Sequence, residues 1–272
     1  QNFGVLSLQR KVFARSSIGL MVVNKESMHY PQDNDSLRAI YPKFNRNVGL
    51  EYNLASPNNV WTGKAFLLQS FSPDSLGNGF TQAANVEYKS REWNWGVQEQ
   101  SVAEDYRAEV GYVPRNGYVN INSFVGYLFF PKGGIVLDHG PKIGLNYFFD
   151  QRLNRTDNTN EFSYLVQFRD RSELTSSFGN EFVELLKPFD PTQSGNVPLP
   201  IGSRHFWNAL TMQYVSKPQS MFTYTVSGRY GGYYAHGTRT SILSELGYRF
   251  QPYVSLSAIV NYNYIDLPDP WN

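Results

Sequence analysis

The sequence predicts an all-β fold, and more specifically a transmembrane antiparallel up-and-down β-barrel with about 14 strands in the chain. Three observations predict it. Apolar and polar residues alternate with a period of two, the signature of a strand with unlike faces. Most alternating segments exceed ten residues, whereas strands of soluble proteins average about 5–6 and a tilted bilayer-spanning strand needs about 9–11. Short and long connections follow one another along the chain, as in barrels with tight turns at one end and loops at the other.

The elements follow in order. Segments 3–15 and 16–28 open the chain around a short turn at Ala14–Ser17. In 45–56, Val48, Leu50, Tyr52 and Leu54 alternate with Asn47, Gly49, Glu51 and Asn53. Segment 59–73 precedes 79–92, where Ala84, Val86 and Tyr88 face away from Asn85, Glu87 and Lys89. Segments 93–104 and 117–130 lead to 135–150, where Ile143, Leu145, Tyr147 and Phe149 oppose Lys142, Gly144, Asn146 and Phe148. Phe162, Tyr164, Val166 and Phe168 define 161–170 against Ser163, Leu165, Gln167 and Arg169. Segments 171–186 and 204–217 precede 219–235, where Phe222, Tyr224, Val226, Gly228 and Tyr230 alternate with Thr223, Thr225, Ser227 and Arg229. In 239–252, Ile242, Ser244, Leu246, Tyr248 and Phe250 oppose Leu243, Glu245, Gly247 and Arg249. Segment 254–266 is the clearest: Val254, Leu256, Ala258, Val260, Tyr262 and Tyr264 share one face, and Ser255, Ser257, Ile259, Asn261 and Asn263 the other. No stretch keeps a helical stripe.

Short connections are expected at Ala14–Ser17, Ser56–Asn59, Ser90–Trp93, Pro131–Gly134, Arg169–Glu173, Ser216–Ser220 and Phe250–Val254. Long ones are expected at Met28–Phe44, Phe71–Gly79, Glu104–Asn116, Gln151–Asn160, Lys187–Ser203 and Ala235–Arg239. With short turns periplasmic, the first strand starts and the fourteenth ends on the outer side. Closed bacterial barrels have an even strand count with both termini in the periplasm. The expectation is therefore one barrel domain over 1–272, incomplete at both ends, with 16 or more strands in the whole. No signal peptide is visible at Gln1.

Composition fits lipid on one side of the sheet and water on the other. Charged residues are 17% of the chain, against about 25% in soluble domains, and aromatics are 16%. The charges Glu51, Lys64, Glu87, Lys89, Lys142, Arg169, Arg229, Glu245 and Arg249 sit on polar faces. A mid-bilayer Arg or Lys on the lipid side costs about 2–4 kcal/mol, so these side chains are expected in the lumen. Glu245 and Arg249, four apart on one face with Arg229 on the strand before, form either a charge-selecting constriction or an ion-pair ladder that fills the lumen; Glu87, Lys89 and Arg169 join them as lumen-facing candidates. Tyr41, Trp61, Trp93, Trp95, Tyr106, Tyr112, Trp207, Tyr214, Tyr253, Tyr264 and Trp271 near strand ends are expected to form interfacial girdles.

Net charge +1 gives no case for nucleic acid, and the absence of Cys excludes disulfides and thiolate sites. His29, His139, His205 and His236 have no metal-ligand spacing, so neither metal nor cofactor is expected. Asp138 and His139 are neighbours whose side chains leave opposite faces of a strand, which argues against catalysis there. The Pro-rich stretch from Lys187 to Ser203 reads equally as a binding loop or as a lid folded into the lumen. Asn154-Arg155-Thr156 is a sequon without meaning in a bacterial loop, and no phosphate-binding or nucleophile-elbow motif occurs.

The opening from Asn2 to Glu26, the element Glu109-Val-Gly-Tyr-Val-Pro-Arg115 and the closing Ile265-Asp-Leu-Pro-Asp-Pro-Trp271 carry a resemblance. Over most of its length the chain resembles the outer-membrane barrel region of large Gram-negative proteins in which a carbohydrate-binding family 9-like domain precedes an uncharacterised barrel domain. The resemblance implies an N-terminal soluble domain outside this chain and brings no catalytic residues. The combined expectation is an outer-membrane protein for binding or transport, with glycans as one ligand class or with protein partners in an envelope complex. A plugged barrel anchoring a soluble domain is the alternative, and an embedded hydrolase is disfavoured.

Overall fold

The computed structural model describes residues 1–28, 42–73, 75–250 and 252–271, with the side chains of 75–78 left aside. His29 and Tyr41 therefore lie outside the described residues. The strands are β1 (Asn2–Val12), β2 (Ser16–Glu26), β3 (Phe44–Ala55), β4 (Trp61–Ser72), β5 (Ser75–Lys89), β6 (Trp93–Val102) and β7 (Tyr118–Tyr127). They continue as β8 (Val136–Asp150), β9 (Arg155–Phe168), β10 (Glu173–Glu184), β11 (Arg204–Val215), β12 (Phe222–Gly232), β13 (Thr238–Phe250) and β14 (Val254–Asp266). Among the described residues a 3-10 turn at Tyr234–His236 is the other regular element, and no helix there is long and apolar enough to cross a membrane.

The 14 strands form one sheet in sequence order, with β1 and β14 as its two ends. Each hairpin therefore pairs with the next, which local alternation alone can specify. Two compact units divide the chain: Gln1–Ser90 with Trp95–Ser123 and Phe148–Asn154, and Arg91–Asn94 with Phe124–Tyr147 and Arg155–Asn272.

Register assigns every side chain to a face. In the first unit Gly19 pairs with Glu51 and Glu51 with Phe66, while Asn53 pairs with Lys64 and Lys64 with Asn85, so these residues share the polar face. Leu20, Leu50 and Leu67 share the other. In the second unit Ser163, Ser177, Thr211, Arg229 and Ser241 run across the polar face, while Phe162, Phe178, Leu210, Tyr230 and Thr240 run across the opposite one.

Two long connections predicted from the sequence are short. Ser72 pairs with Ser75, so β4 and β5 form a tight hairpin where a loop over Phe71–Gly79 was expected. The connection Gln151–Asn160 shrinks to the turn between Asp150 and Arg155. There Asp150 accepts hydrogen bonds from the backbone N–H groups of Arg152 and Asn154, both at 2.8 Å, and from Asn154 Nδ2 at 2.9 Å. Leu153 takes the left-handed conformation that the turn needs, at φ 62°. Arg155-Thr-Asp-Asn-Thr-Asn160 pairs as strand although it is polar throughout, so hydrophobic alternation could not reveal it. Loop lengths consequently do not alternate strictly; the genuinely long connections lie at one end only.

The candidate functional site is the polar face and its covering loops

Burial is inverted relative to a soluble core. Among the largest side chains with almost no exposure are Asn45, Ser70 and Ser72, while Leu50, Phe162 and Val260 are 59%, 50% and 58% exposed. Buried polar groups are stable where their hydrogen bonds are met. Most here find partners, while Asn47 Oδ1, Asn158 Oδ1, Trp207 Nε1 and Arg229 Nη1 are among the buried atoms that have none.

In the first unit the provider is the connection from Ala103 to Gly117, which contains the Glu109–Arg115 element and folds onto the polar face of β2–β5. Asn45 on β3 holds it by both ends of its amide: Nδ2 donates to the Arg107 carbonyl at 3.2 Å, and Oδ1 accepts from the Glu109 N–H at 3.1 Å. Ser70 Oγ accepts from the Arg107 N–H at 3.3 Å. Lys25 on β2, 2% exposed, meets the Glu109 carboxylate at 3.1 Å. The loop anchors itself apolarly through Tyr106, which is buried with Val102, Ala103 and Tyr118 against Leu68, Phe80 and Phe148. That burial raises the Tyr106 hydroxyl pKa. Asn116 Nδ2 closes the loop on the carbonyls of Glu104 and Tyr106 at 3.1 and 2.7 Å.

In the second unit two connections cover the loop end of the polar face. The stretch after β10 brings Leu185 and Leu199 together with Ala235, Val183, Tyr234 and Trp271. Phe189 and Leu199 bridge by reciprocal backbone bonds of 3.1 and 2.8 Å. Asp190 fixes the tip, accepting from Thr192 Oγ1 at 2.7 Å and from the N–H groups of Thr192, Gln193 and Gly195. The Thr192 hydroxyl and then these amides hold the Asp190 carboxyl below the usual carboxylate range. Below the cap, Trp207 packs on Tyr234 at 4.8 Å and Tyr233 at 6.0 Å. Burial first, then Tyr233, Asp157 and Glu181, push the Tyr234 hydroxyl up to about 12.

The loops bring together one pair that sequence spacing did not suggest. Ser203 Oγ lies 2.9 Å from His205 Nε2. Its geometry is that of a tether rather than a nucleophile and base. The Ala235 N–H donates to His205 Nδ1 at 3.0 Å, so Nδ1 is the accepting nitrogen and Nε2 of the neutral ring carries the proton. The Ser203 hydroxyl then donates to the Pro200 carbonyl at 2.7 Å. A protonated Nε2 cannot take a proton from Ser203. Asp138 and His139 are successive residues of β8, so their side chains leave opposite faces, and His139 Nδ1 contacts the Tyr164 hydroxyl at 2.6 Å instead.

The lumen-facing candidates separate. Arg229 lies near the loop end of β12, where its Nη2 reaches Glu181 at 3.7 Å and the Gly232 carbonyl at 3.3 Å. Glu245 pairs with Thr225, nearer the turn end, and Arg249 lies one residue before the end of β13. Among the described residues no ion pair joins Glu245 to Arg249 or Arg229, and both β13 side chains are exposed. Glu87 faces Thr62 on the polar side of β4–β5, and Lys89 closes β5 beside it. Their neighbours Glu51 and Lys64 form an ion pair at 2.9 Å. Arg169 departs from the expectation of a strand residue, because β9 ends at Phe168. It sits in the following turn, where its guanidinium donates to the carbonyls of Gly134 at 2.8 Å and Pro131 at 3.4 Å.

The aromatic residues sort by face. At the turn end of the apolar face Trp61, Tyr88 and Trp95 cluster with centroids 5.0–5.8 Å apart in the first unit. In the second, Trp93–Tyr127–Phe129 and Tyr214–Tyr224–Phe222 do the same. At the loop end the face turns polar: Arg46 donates to Asn24 at 3.0 Å, and Asn160, Asn180 and Asn208 hydrogen-bond in a row. Tyr106, Trp207 and Trp271 depart from the girdle expectation, since they pack in the loop clusters. Their position near strand ends was right, but proximity to an end does not distinguish a side chain facing outward from one under a cap.

Among the described residues no group of three His, Asp or Glu could hold a metal. Comparison with protein-family models, with curated proteins and with solved structures finds no match to this chain.

Proposed function

We propose that the chain is the wall of a bacterial outer-membrane β-barrel that binds or passes polar solutes at the cell envelope. Within each unit a loop covers part of the polar face: that between β6 and β7 in the first, and that between β10 and β11 in the second. The observation that carries this reading is the inversion of polarity: an apolar face edged by aromatics at one end and by hydrogen-bonded amides at the other, opposite a face whose buried groups are polar. Phe222 to Tyr230 on β12 is nine residues, or about 30 Å of strand, which at a tilt near 40° covers about 23 Å, the height of a barrel's apolar band. In water, each half-exposed Leu, Val or Phe of that face would forgo roughly 1 kcal/mol of burial. The bilayer is the partner such a face requires, and the free edges of β1 and β14 must be paired within it. Glycans are the solute class suggested by the family resemblance.

A second reading, a plugged barrel serving as an anchor, is favoured by one specific observation, the buried Lys25–Glu109 clamp that fixes a loop across the polar face. Single-channel conductance of the detergent-purified full-length protein in a planar bilayer tests both. Steady, sign-selective conductance that oligosaccharides reduce supports solute passage. A folded, inserted and silent protein supports the anchor, and a protein soluble and monodisperse without detergent overturns the membrane reading.

A further inference from the structure

We propose that the turn end of the second unit holds a binding site for an anionic glycerophospholipid of the phosphatidylglycerol kind. The inference rests on the membrane reading above. A cleft of about 450 Å³, within the range of about 300–1,000 Å³ usual for ligand sites, is lined by Ile135, Phe168, Ser172, Tyr214 and the turn residues Arg169 and Asp170. Phe168, the last residue of β9, and Tyr214 on β11 are both on the apolar face, but in successive rows. Tyr214 pairs with Leu174, whereas Phe168 donates its N–H to the carbonyl of Ser172 just before β10, and the short Ser172 side chain leaves room beside the two rings. Ile135 forms the outer wall and is 74% exposed, so the cleft opens where acyl chains would lie.

The mouth of the cleft has a charge that the chain's overall balance hides. The turns at this end carry Arg91, Lys132, Arg169, Arg171 and Lys217 against Glu92 and Asp170. The two carboxylates are already engaged. Glu92 meets the Tyr127 hydroxyl at 3.4 Å. Asp170 accepts from the Ser172 hydroxyl at 2.6 Å and its N–H at 3.0 Å; these bonds, with Lys217 nearby, keep its pKa below the usual range. Arg169 spends two of its five N–H donors on the Gly134 and Pro131 carbonyls, which orient the guanidinium and leave donors for a phosphate. The occupant has acyl chains against Ile135, Phe168 and Tyr214, and its phosphate is at Arg169 with Lys217 in support. Uncharged headgroups satisfy the cleft but not the basic rim.

The test is lipid enrichment on the full-length protein. The protein is inserted into vesicles of equimolar phosphatidylglycerol and phosphatidylcholine and extracted mildly, and the retained lipid is measured by mass spectrometry. Phosphatidylglycerol should be enriched about fivefold, the effect of one basic side chain at an anionic surface. K217Q and I135D, neither of which alters a bond within the turns, should each bring the ratio toward unity. R169Q should do so too and R169K should restore it, while K187Q at the opposite end changes nothing. Insertion without lipid preference, or preference unmoved by these variants, overturns the site alone. Failure to insert into vesicles of any composition overturns the membrane reading, and the site with it.

Discussion

Replacing Glu109 by Gln should release the loop between β6 and β7 from the polar face, and the structure sets the size of the effect. Lys25 is 2% exposed and its ammonium has the Glu109 carboxylate at 3.1 Å. Removing one partner of a fully buried pair costs about 3–5 kcal/mol, because the other charge is left without compensation. The Glu109 side chain is 29% exposed, so part of the attraction is already screened, and about 2 kcal/mol is the better expectation for E109Q. K25M removes the buried charge and leaves Glu109 able to turn to solvent, so it should cost less, and the double variant should be milder than E109Q alone. N45A removes the bonds to the Arg107 carbonyl and Glu109 N–H, at about 1 kcal/mol each. Trypsin cleavage after Arg107 reports the release, because Asn45 binds that carbonyl in the closed loop. Where opening and closing outpace cleavage, about 2 kcal/mol becomes roughly 30-fold faster cutting for E109Q and N45A, with K25M below both. Equal rates in all four variants would refute the clamp. K25M cutting faster than E109Q would refute the argument from a stranded charge.

Polarity of the two faces makes a matched pair of predictions. V226R, on the apolar face at the level of Ser244, should lower stability in lipid by about 2–4 kcal/mol, whereas S227R one residue later should be nearly neutral. Urea unfolding of the vesicle-inserted protein measures both, and equal costs would contradict the assignment of faces. The Asp190 carboxyl is held below its unfolded value by Thr192 and three loop amides, so it favours the folded loop above the ordinary carboxylate pKa. That contribution is lost as pH falls through the lowered folded value. Protection of 185–203 against hydrogen exchange, taken relative to the intrinsic rate at each pH, should therefore fall in acid below about pH 4, and D190N should flatten that dependence.

Strands with one apolar face were legible from the sequence because the pattern itself is local: β12, β13 and β14 fall within a few residues of the alternating segments. Polar extensions were not. Asp157–Asn160 pairs with β10 above the apolar band, where nothing selects apolar residues and alternation leaves no trace. Both covering loops were legible as long connections, and Lys187–Ser203 as a binding loop or a lid, but the contacts that hold the β6–β7 loop to the polar face were hidden. Lys25 and Asn45 are ordinary polar strand residues until the Arg107 carbonyl and the Glu109 carboxylate arrive from more than sixty residues away. One signal could have pointed to them: a Lys and two Asn at the loop ends of adjacent strands, opposite a connection rich in Glu and Asp. The Ser203–His205 tether was likewise invisible, since its chemistry turns on the N–H that Ala235 donates from another loop.

The charges on the polar face divide into those that hold structure and those free to act on a solute, and that division changes which residue should set ion selectivity. Glu51 with Lys64 and Lys25 with Glu109 are paired, so their fields largely cancel. Arg229 belongs with them, because Glu181 and the Gly232 carbonyl engage it near the loop end. Glu245 and Arg249 have no ion-pair partner among the described residues and are exposed, with Glu245 four residues further from the turn end. In a conducting barrel, an unpaired carboxylate away from both mouths raises the local cation concentration most. E245Q should therefore shift reversal potential toward anions under a salt gradient, and the shift should shrink as ionic strength rises. R229Q should leave selectivity nearly unchanged and instead lower the unfolding midpoint, because it strands Glu181. If R229Q moved the reversal potential and E245Q did not, the pairing geometry would be the wrong guide to what a permeating ion meets.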